Sequence, residues 1–279
     1  MIGVFDSGVG GLTVLSHFLK DHPKYNYVYL GDNANVPYGN KSPEMIYGYS
    51  KKAVDFLYSK GCRLIIFACN SASAQALRRI QQEYLPEKYQ DLKVLGVIRP
   101  IAEKISSLKN VSRVGIIGTK ATIKSNTYNE EIRILSSDIE IFSQATPLLV
   151  PLIEENWIKK PETKMILRKY LRPLKNKKVQ ALVLACTHYP FLLKSIISVM
   201  GPSCLVFDPG KVVSDSLGNY LERHPDIEIK LTSKNNKIKK VLAIDNCLFY
   251  ATDDLDNFKK LGDFFLGRKI RSVKKVNLS

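Results

Sequence analysis

The feature that most limits how this chain can fold is its alternation of short, β-branched apolar runs with amphipathic helical stretches. Such alternation reads as βαβ units, which close around a largely parallel sheet. MIGVF at 1–5 is a buried strand, and SGVGG turns it into the helix LTVLSHFLKDH. YVYL at 27–30 is a second strand. GDNANVPYGNKS after it is a loop, because its Gly, Asn and Pro content forbids regular structure. Ser42-Pro43-Glu44 then starts a helix with a cap, a first-turn proline and an acid. Ile46, Tyr49, Ala53, Phe56 and Leu57 share one face of it. A strand at 63–68 leads to Cys69 and a helix beginning near Ser71. VLGVI at 94–98 is a further strand, and Arg99-Pro100 is expected to break the chain there.

A second set of units follows. SRVGIIGTKATI at 112–123 is again strand then turn, with a helix near 124–135 and a strand IEIF at 139–142. TPLLVPLIEENW at 146–157 reads as a loop running into a short helix. A helix at 162–173 and a strand at 179–185 then deliver Cys186. Asp6 precedes Cys69 by 63 residues, and Gly118 precedes Cys186 by 68. A strand–turn–helix opens each half and a strand–Cys–helix comes near its close. The expected fold class is therefore α/β: two similar lobes with central, mostly parallel sheets flanked by helices, and a site in the cleft between them. A helix at 190–200, a short strand LVFD at 205–208 and a helix from about 211 to 223 come next. The tail from Lys230 carries twelve Lys or Arg against five Asp, yet LFYAT and FKKLGDFFLG keep an apolar pattern. It is expected to return as strand and helix to the first lobe. The lobes are assigned as 1–98 with 208–279, and 99–207.

A length of 279 residues suits two domains, and 45% hydrophobic residues suffice for substantial cores. The net charge of +16 raises the question of a nucleic-acid or acidic-membrane partner, and also suits anionic small substrates. The basic residues are scattered, with no stacking-aromatic motif or basic recognition helix, so nucleic acid is disfavoured as a partner. No apolar run approaches the ~20 residues that span a bilayer, so no membrane partner is expected. MIGVFDSG is not a signal peptide, and five cysteines without CxxC spacing argue for a reducing cytoplasm rather than disulfides or a metal site.

Two stretches concentrate the groups that can do chemistry. ACNSAS at 68–73 and ACTHYP at 185–190 each follow an apolar run, and their cysteines lie 117 residues apart. A thiol where a strand gives way to a helix N-terminus meets the positive end of the helix dipole, a setting that favours thiolate. Asn70, Ser71, Thr187 and His188 crowd these two with polar groups, whereas Cys62, Cys204 and Cys247 read as small buried hydrophobes. Asp6 ends the first strand on a glycine turn, at the sheet edge where open α/β sheets bind ligands. GVGG at 8–11 lacks the GxGxxG register and the lysine of a phosphate loop, so its glycines serve close backbone approach. His188 stands two residues from Cys186, where it can hold or orient a proton. Glu154 and Glu155 lie in a Pro-flanked segment where solvated acids are ordinary. Pro37-Tyr38-Gly39 offers an exposed tyrosine and free backbone amides suited to a carboxylate. With no dinucleotide fingerprint, metal cluster or Schiff-base lysine, two opposed cysteines suit two-base proton transfer at a carbon acid without a cofactor.

With these residues together, the chain resembles the glutamate racemase family of the aspartate/glutamate racemase superfamily. The matching stretches are FDSGVGGLTVL at 5–15, GDNANVPYG at 31–39, ACNSASA at 68–74, GTKATIKSNTY at 118–128, VPLIEEN at 150–156 and ACTHYP at 185–190. They run in family order over nearly the whole length. The resemblance implies cofactor-independent racemisation of glutamate in a cleft between two α/β lobes, in a cytoplasmic homodimer feeding D-glutamate to peptidoglycan precursors. A related racemase for aspartate or another small amino acid is the alternative. Carried over by motif, Cys69 and Cys186 are the two acid/bases, assisted by Asp6, His188 and Glu154. Asp6, Ser7, Pro37, Tyr38, Gly39, Asn70, Ser71, Thr119, Thr187 and His188 would hold the substrate. Ser71 stands where the family usually has Thr, Arg99 where an acid or apolar residue is commoner, and DPG at 208–210 where Asp-Ser is more usual.

Overall fold

The first strand, β1 (Ile2–Asp6), is buried along its whole length, so both of its faces must be covered. In the computed structural model, which describes residues 1–232 and 246–278, it lies inside a six-stranded sheet. With β2 (Tyr27–Gly31), β3 (Leu64–Phe67), β4 (Lys93–Gly96), β9 (Cys247–Ala251) and β10 (Val273–Lys275), the order is β10-β9-β2-β1-β3-β4. A second sheet holds β5 (Arg113–Gly118), β6 (Glu140–Ala145), β7 (Ala181–Ala185) and β8 (Leu205–Val206), in the order β6-β5-β7-β8. Every pairing among these strands is parallel. The run β2-β1-β3-β4 and the run β6-β5-β7-β8 have the same order. The two halves are thus repeats in topology, and Cys69 and Cys186 each follow the third strand of their repeat.

Helices cover the sheets where the sequence has start signals. Helix Pro43–Ser59 begins as expected, with Ser42 Oγ accepting the Met45 N–H at 3.3 Å and proline in the first turn. Helix Pro209–Arg223 is capped by Asp208 and packs on both Leu12–Asp21 and Ile98–Ser106, tying the two repeats together. His17 Nε2 meets Asp208 at 2.9 Å, and Ser214 Oγ donates to Asp21 at 2.9 Å across the first of these contacts. No helix among the described residues is long and apolar enough to cross a membrane.

Three local expectations are corrected. β4 stops at Gly96, and Arg99-Pro100 lies in the first turn of helix Ile98–Ser106 instead of breaking the chain. Proline is tolerated there because first-turn N–H groups have no partner within the helix. The helix foreseen near 124–135 is two, Lys120–Lys124 and Thr127–Leu135, divided at Asn126 with φ of 62°. The helix foreseen from 190 starts with a tight 3-10 turn, Tyr189–Leu192, before Leu193–Met200. Of the basic tail, residues 233–245 and Ser279 lie outside the described residues. Of the rest, β9 pairs with β2, and helix Leu255–Leu266 packs on helix Leu12–Asp21.

Phe258 anchors that return. It is 1% exposed, and its ring lies 6.1 Å from the Tyr29 ring on β2. Phe258→Ala should therefore lower the unfolding free energy by about 3–5 kcal/mol, read as a lower urea midpoint.

Candidate active site

Parallel strands end at a common edge, and the loops leaving these two sheets meet around a cavity of ≈ 230 Å³. β1 contributes Ser7 and Gly8, β2 the loop with Pro37, Tyr38 and Gly39, and β3 contributes Cys69, Asn70 and Ser71. From the second sheet come Thr119 after β5, Thr146 after β6, and Cys186, Thr187 and His188 after β7. Glu154, at the end of helix Leu149–Glu154, lines the same space. Twelve of the thirteen residues singled out from the sequence thus share one cavity. Asp6 does not line it: it is wholly buried just behind, one oxygen accepting the Gly8 N–H at 2.9 Å.

Cys69 caps helix Asn70–Gln75, its sulfur accepting the Ala72 N–H at 3.5 Å while its thiol donates to Ser7 Oγ at 3.5 Å. The expected thiolate-favouring effect of the helix is outweighed. Burial, followed by the nearby Asp6 carboxyl, pushes the Cys69 thiol up to about 12, so it carries its proton at neutral pH. Burial likewise raises Asp6.

Cys186 has different company. Its sulfur lies 3.9 Å from His188 Nδ1, and His188 Nε2 meets Glu154 Oε1 at 2.9 Å. Burial works against charge on the ring, but the hydrogen bonds with Cys186 and Glu154 prevail and raise His188 to about 10. His188 is then an imidazolium at neutral pH. Thr187 Oγ1 lies 3.5 Å from Asp6 Oδ1, and Thr13 on the first helix donates to the Thr187 carbonyl at 2.9 Å. This close seating explains GVGG. A Cβ at Gly10 would lie 2.5 Å from the His188 ring, and one at Gly11 would lie 2.6 Å from Asp6 Cβ.

The hydroxyls of Ser71, Thr119 and Thr122 form a triangle with sides of 2.9, 3.2 and 3.0 Å that joins loops from the two sheets. Tyr128 donates to Asn70 Oδ1 at 2.7 Å, which leaves the Asn70 Nδ2 as a donor for the cavity. Tyr38 is not the exposed residue the sequence suggested. It is 1% exposed, and its hydroxyl donates to Asp32 Oδ2 at 2.6 Å. Sequence reasoning passed over Asp32, Tyr128, Thr122, Lys120 and Thr146. Asp32 carried a readable signal, since it follows β2 much as Asp6 ends β1. The others lie in or beside quoted motifs, and only the fold aims them at the site.

Two repeats each offer a strand-end thiol to one cavity, and comparison with known proteins places this two-sheet fold among the amino-acid racemases. The sequence matches the family described as Asp/Glu/Hydantoin racemase over residues 13–216. It is 37% identical to the glutamate racemase of Syntrophus aciditrophicus over 277 residues, 99% of this chain and 96% of that one. A glutamate racemase isoform from Bacillus anthracis superposes with a TM-score of 0.88 at 30% identity, covering 100% of this chain and 97% of the other. The glutamate racemase of Francisella tularensis, solved with D-glutamate, gives 0.86 at 32% identity with the same coverage. The chain belongs to the Asp/Glu/hydantoin racemase family, in its glutamate racemase branch, and is an isomerase.

The His188 pair makes a prediction whose sign is fixed. A folded-state value of about 10, above the ordinary 6.5, contributes stability that is complete below 6.5 and lost as pH rises through 10. Replacing Glu154 by Gln removes one of the groups that raise it. The NMR titration midpoint of the His188 ring should then move to lower pH, and an unchanged midpoint would show that the pair does not control it.

Proposed function

We propose that this enzyme interconverts L- and D-glutamate by two-base proton transfer between Cys69 and Cys186, with no cofactor. The observation that carries the reading is the placement of both thiols on one small cavity, from equivalent positions of two topological repeats. The D-glutamate bound by the Francisella tularensis relative supports the choice of substrate. The aspartate racemase of Picrophilus torridus, at 20% identity and a TM-score of 0.52, shares the fold alone.

In this reading one cysteine, as thiolate, takes the Cα proton, and the electron pair of that C–H bond is left on Cα and its carboxylate. The other cysteine, as thiol, gives its proton to the opposite face, and the electron pair closes a new C–H bond of inverted configuration. Proton and charge both balance, and the two thiols exchange protonation states. In the free cavity Cys69 holds its proton, which equips it to act as the proton donor of the pair. His188, held charged against Glu154, faces that sulfur with Nδ1 and can pass a proton there. Asp6 acts from behind Cys69 and Thr187. The substrate carboxylates fit neutral donors: Asn70 Nδ2, the hydroxyls of Ser7, Ser71, Thr119 and Thr187, and the backbone beside Pro37, Tyr38 and Gly39. Excess positive charge draws the anion in. By family resemblance the enzyme works as a cytoplasmic homodimer and supplies D-glutamate for peptidoglycan synthesis.

L-Glutamate incubated with the enzyme in D2O, without pyridoxal phosphate, should take up deuterium at Cα and lose its optical rotation. Exchange with aspartate and none with glutamate would overturn the substrate assignment. Cys69→Ser and Cys186→Ser should each abolish racemisation, assayed by circular dichroism. Near-normal rates in both would rule out the two-thiol mechanism.

A further inference from the structure

The residues that follow β9, whose sequence matched no catalytic motif, reach the cavity loop through a hydroxyl and two backbone N–H groups. β2 and β9 pair with Gly31 opposite Ala251, so Asp32 and Thr252 are the next residues past a shared edge. Thr252 Oγ1 donates to Asp32 Oδ1 at 2.9 Å and accepts the Ala34 N–H at 2.8 Å. The Thr252 and Asp253 N–H groups both reach Asn33 Oδ1 at 3.0 Å. Asp32 is wholly buried and hands the constraint on. Its carboxyl also accepts Tyr38 Oη at 2.6 Å and Asn35 Nδ2 at 3.0 and 3.1 Å. Asn35 and Tyr38, on either side of Pro37, therefore hang on one carboxyl, and Thr252 holds that carboxyl from the end of β9.

We propose that Thr252 is a positioning residue for this enzyme's racemisation, fixing the Pro37–Gly39 wall of the cavity through Asp32. The hydroxyl acts as donor and acceptor at once, so no apolar side chain of the same shape replaces it. The loop has little tolerance. A Cβ at Gly39 would lie 2.7 Å from Thr119 Cβ, so movement towards the second sheet is blocked, and movement away opens the cavity. Thr252 touches neither cysteine. Its loss slackens a wall that meets substrate and transition state alike, which raises KM and leaves kcat nearly unchanged.

This inference rests on the glutamate reading above, and its test separates the two. Thr252→Val should raise KM for both glutamate enantiomers roughly five- to tenfold with kcat within about twofold, and Thr252→Ser should restore KM. Amide hydrogen exchange over residues 33–40 should quicken in Thr252→Val while β1 and β3 stay protected. If valine does not fold, Thr252→Ala carries the same expectations. A wild-type KM and unchanged exchange at 33–40 in the valine variant, or a serine variant as impaired as valine, would overturn the proposal. Wild-type enzyme inert towards glutamate would refute the substrate reading instead, and the exchange at 33–40 would still decide the tether.

Discussion

Parallel strand pairing is the constraint on which the site depends. Strands that run the same way finish at the same edge, and their outgoing loops must gather there. β1, β2 and β3 send out Ser7, the Tyr38 loop and Cys69, while β5, β6 and β7 send out Thr119, Thr146 and Cys186. Because both sheets repeat one strand order, the two thiols arise from equivalent positions. The edges then have to meet closely. Gly10 and Gly11 allow it, by leaving the space where a side chain would strike His188 or Asp6.

Equivalent positions do not make equivalent cysteines. Cys69 is enclosed with a buried carboxyl close by, and both effects keep its proton on. Cys186 has a charged imidazole beside it, held by a half-exposed carboxylate. One thiol keeps its proton, and the other stands next to a group that can hold one.

Support for the cavity extends well beyond its lining. Tyr128 orients Asn70, Thr13 holds the Thr187 carbonyl, and Asp32 gathers the hydrogen bonds of the Tyr38 loop. The last of these passes to Thr252, so the C-terminal segment both extends the first sheet and braces a loop of the site from behind. This gives the segment a reason to pair beside β2 rather than elsewhere on the sheet.

Much of this was legible in the residues before any fold was known. Apolar alternation called for parallel sheets, and glycine, proline and hydroxyl residues after strand ends marked where the chemistry would gather. Those are local signals, set by period, propensity and turn chemistry; they determined the fold class and the paired halves and, together with the family motifs, twelve of the twenty-one residues that line the cavity. What they could not carry were quantities that exist only between distant segments. Burial raised Cys69 against its helix cap, turned Tyr38 inward onto Asp32, and placed Asp6 behind the cavity instead of on its wall. Arg99-Pro100 misled because a proline reads alike as a chain break or a first-turn residue until the helix after it is packed. That Cys69 keeps its proton, and which strand steadies which loop, is decided by desolvation and by contacts across some 200 residues of chain, as between Asp32 and Thr252 at a separation of 220.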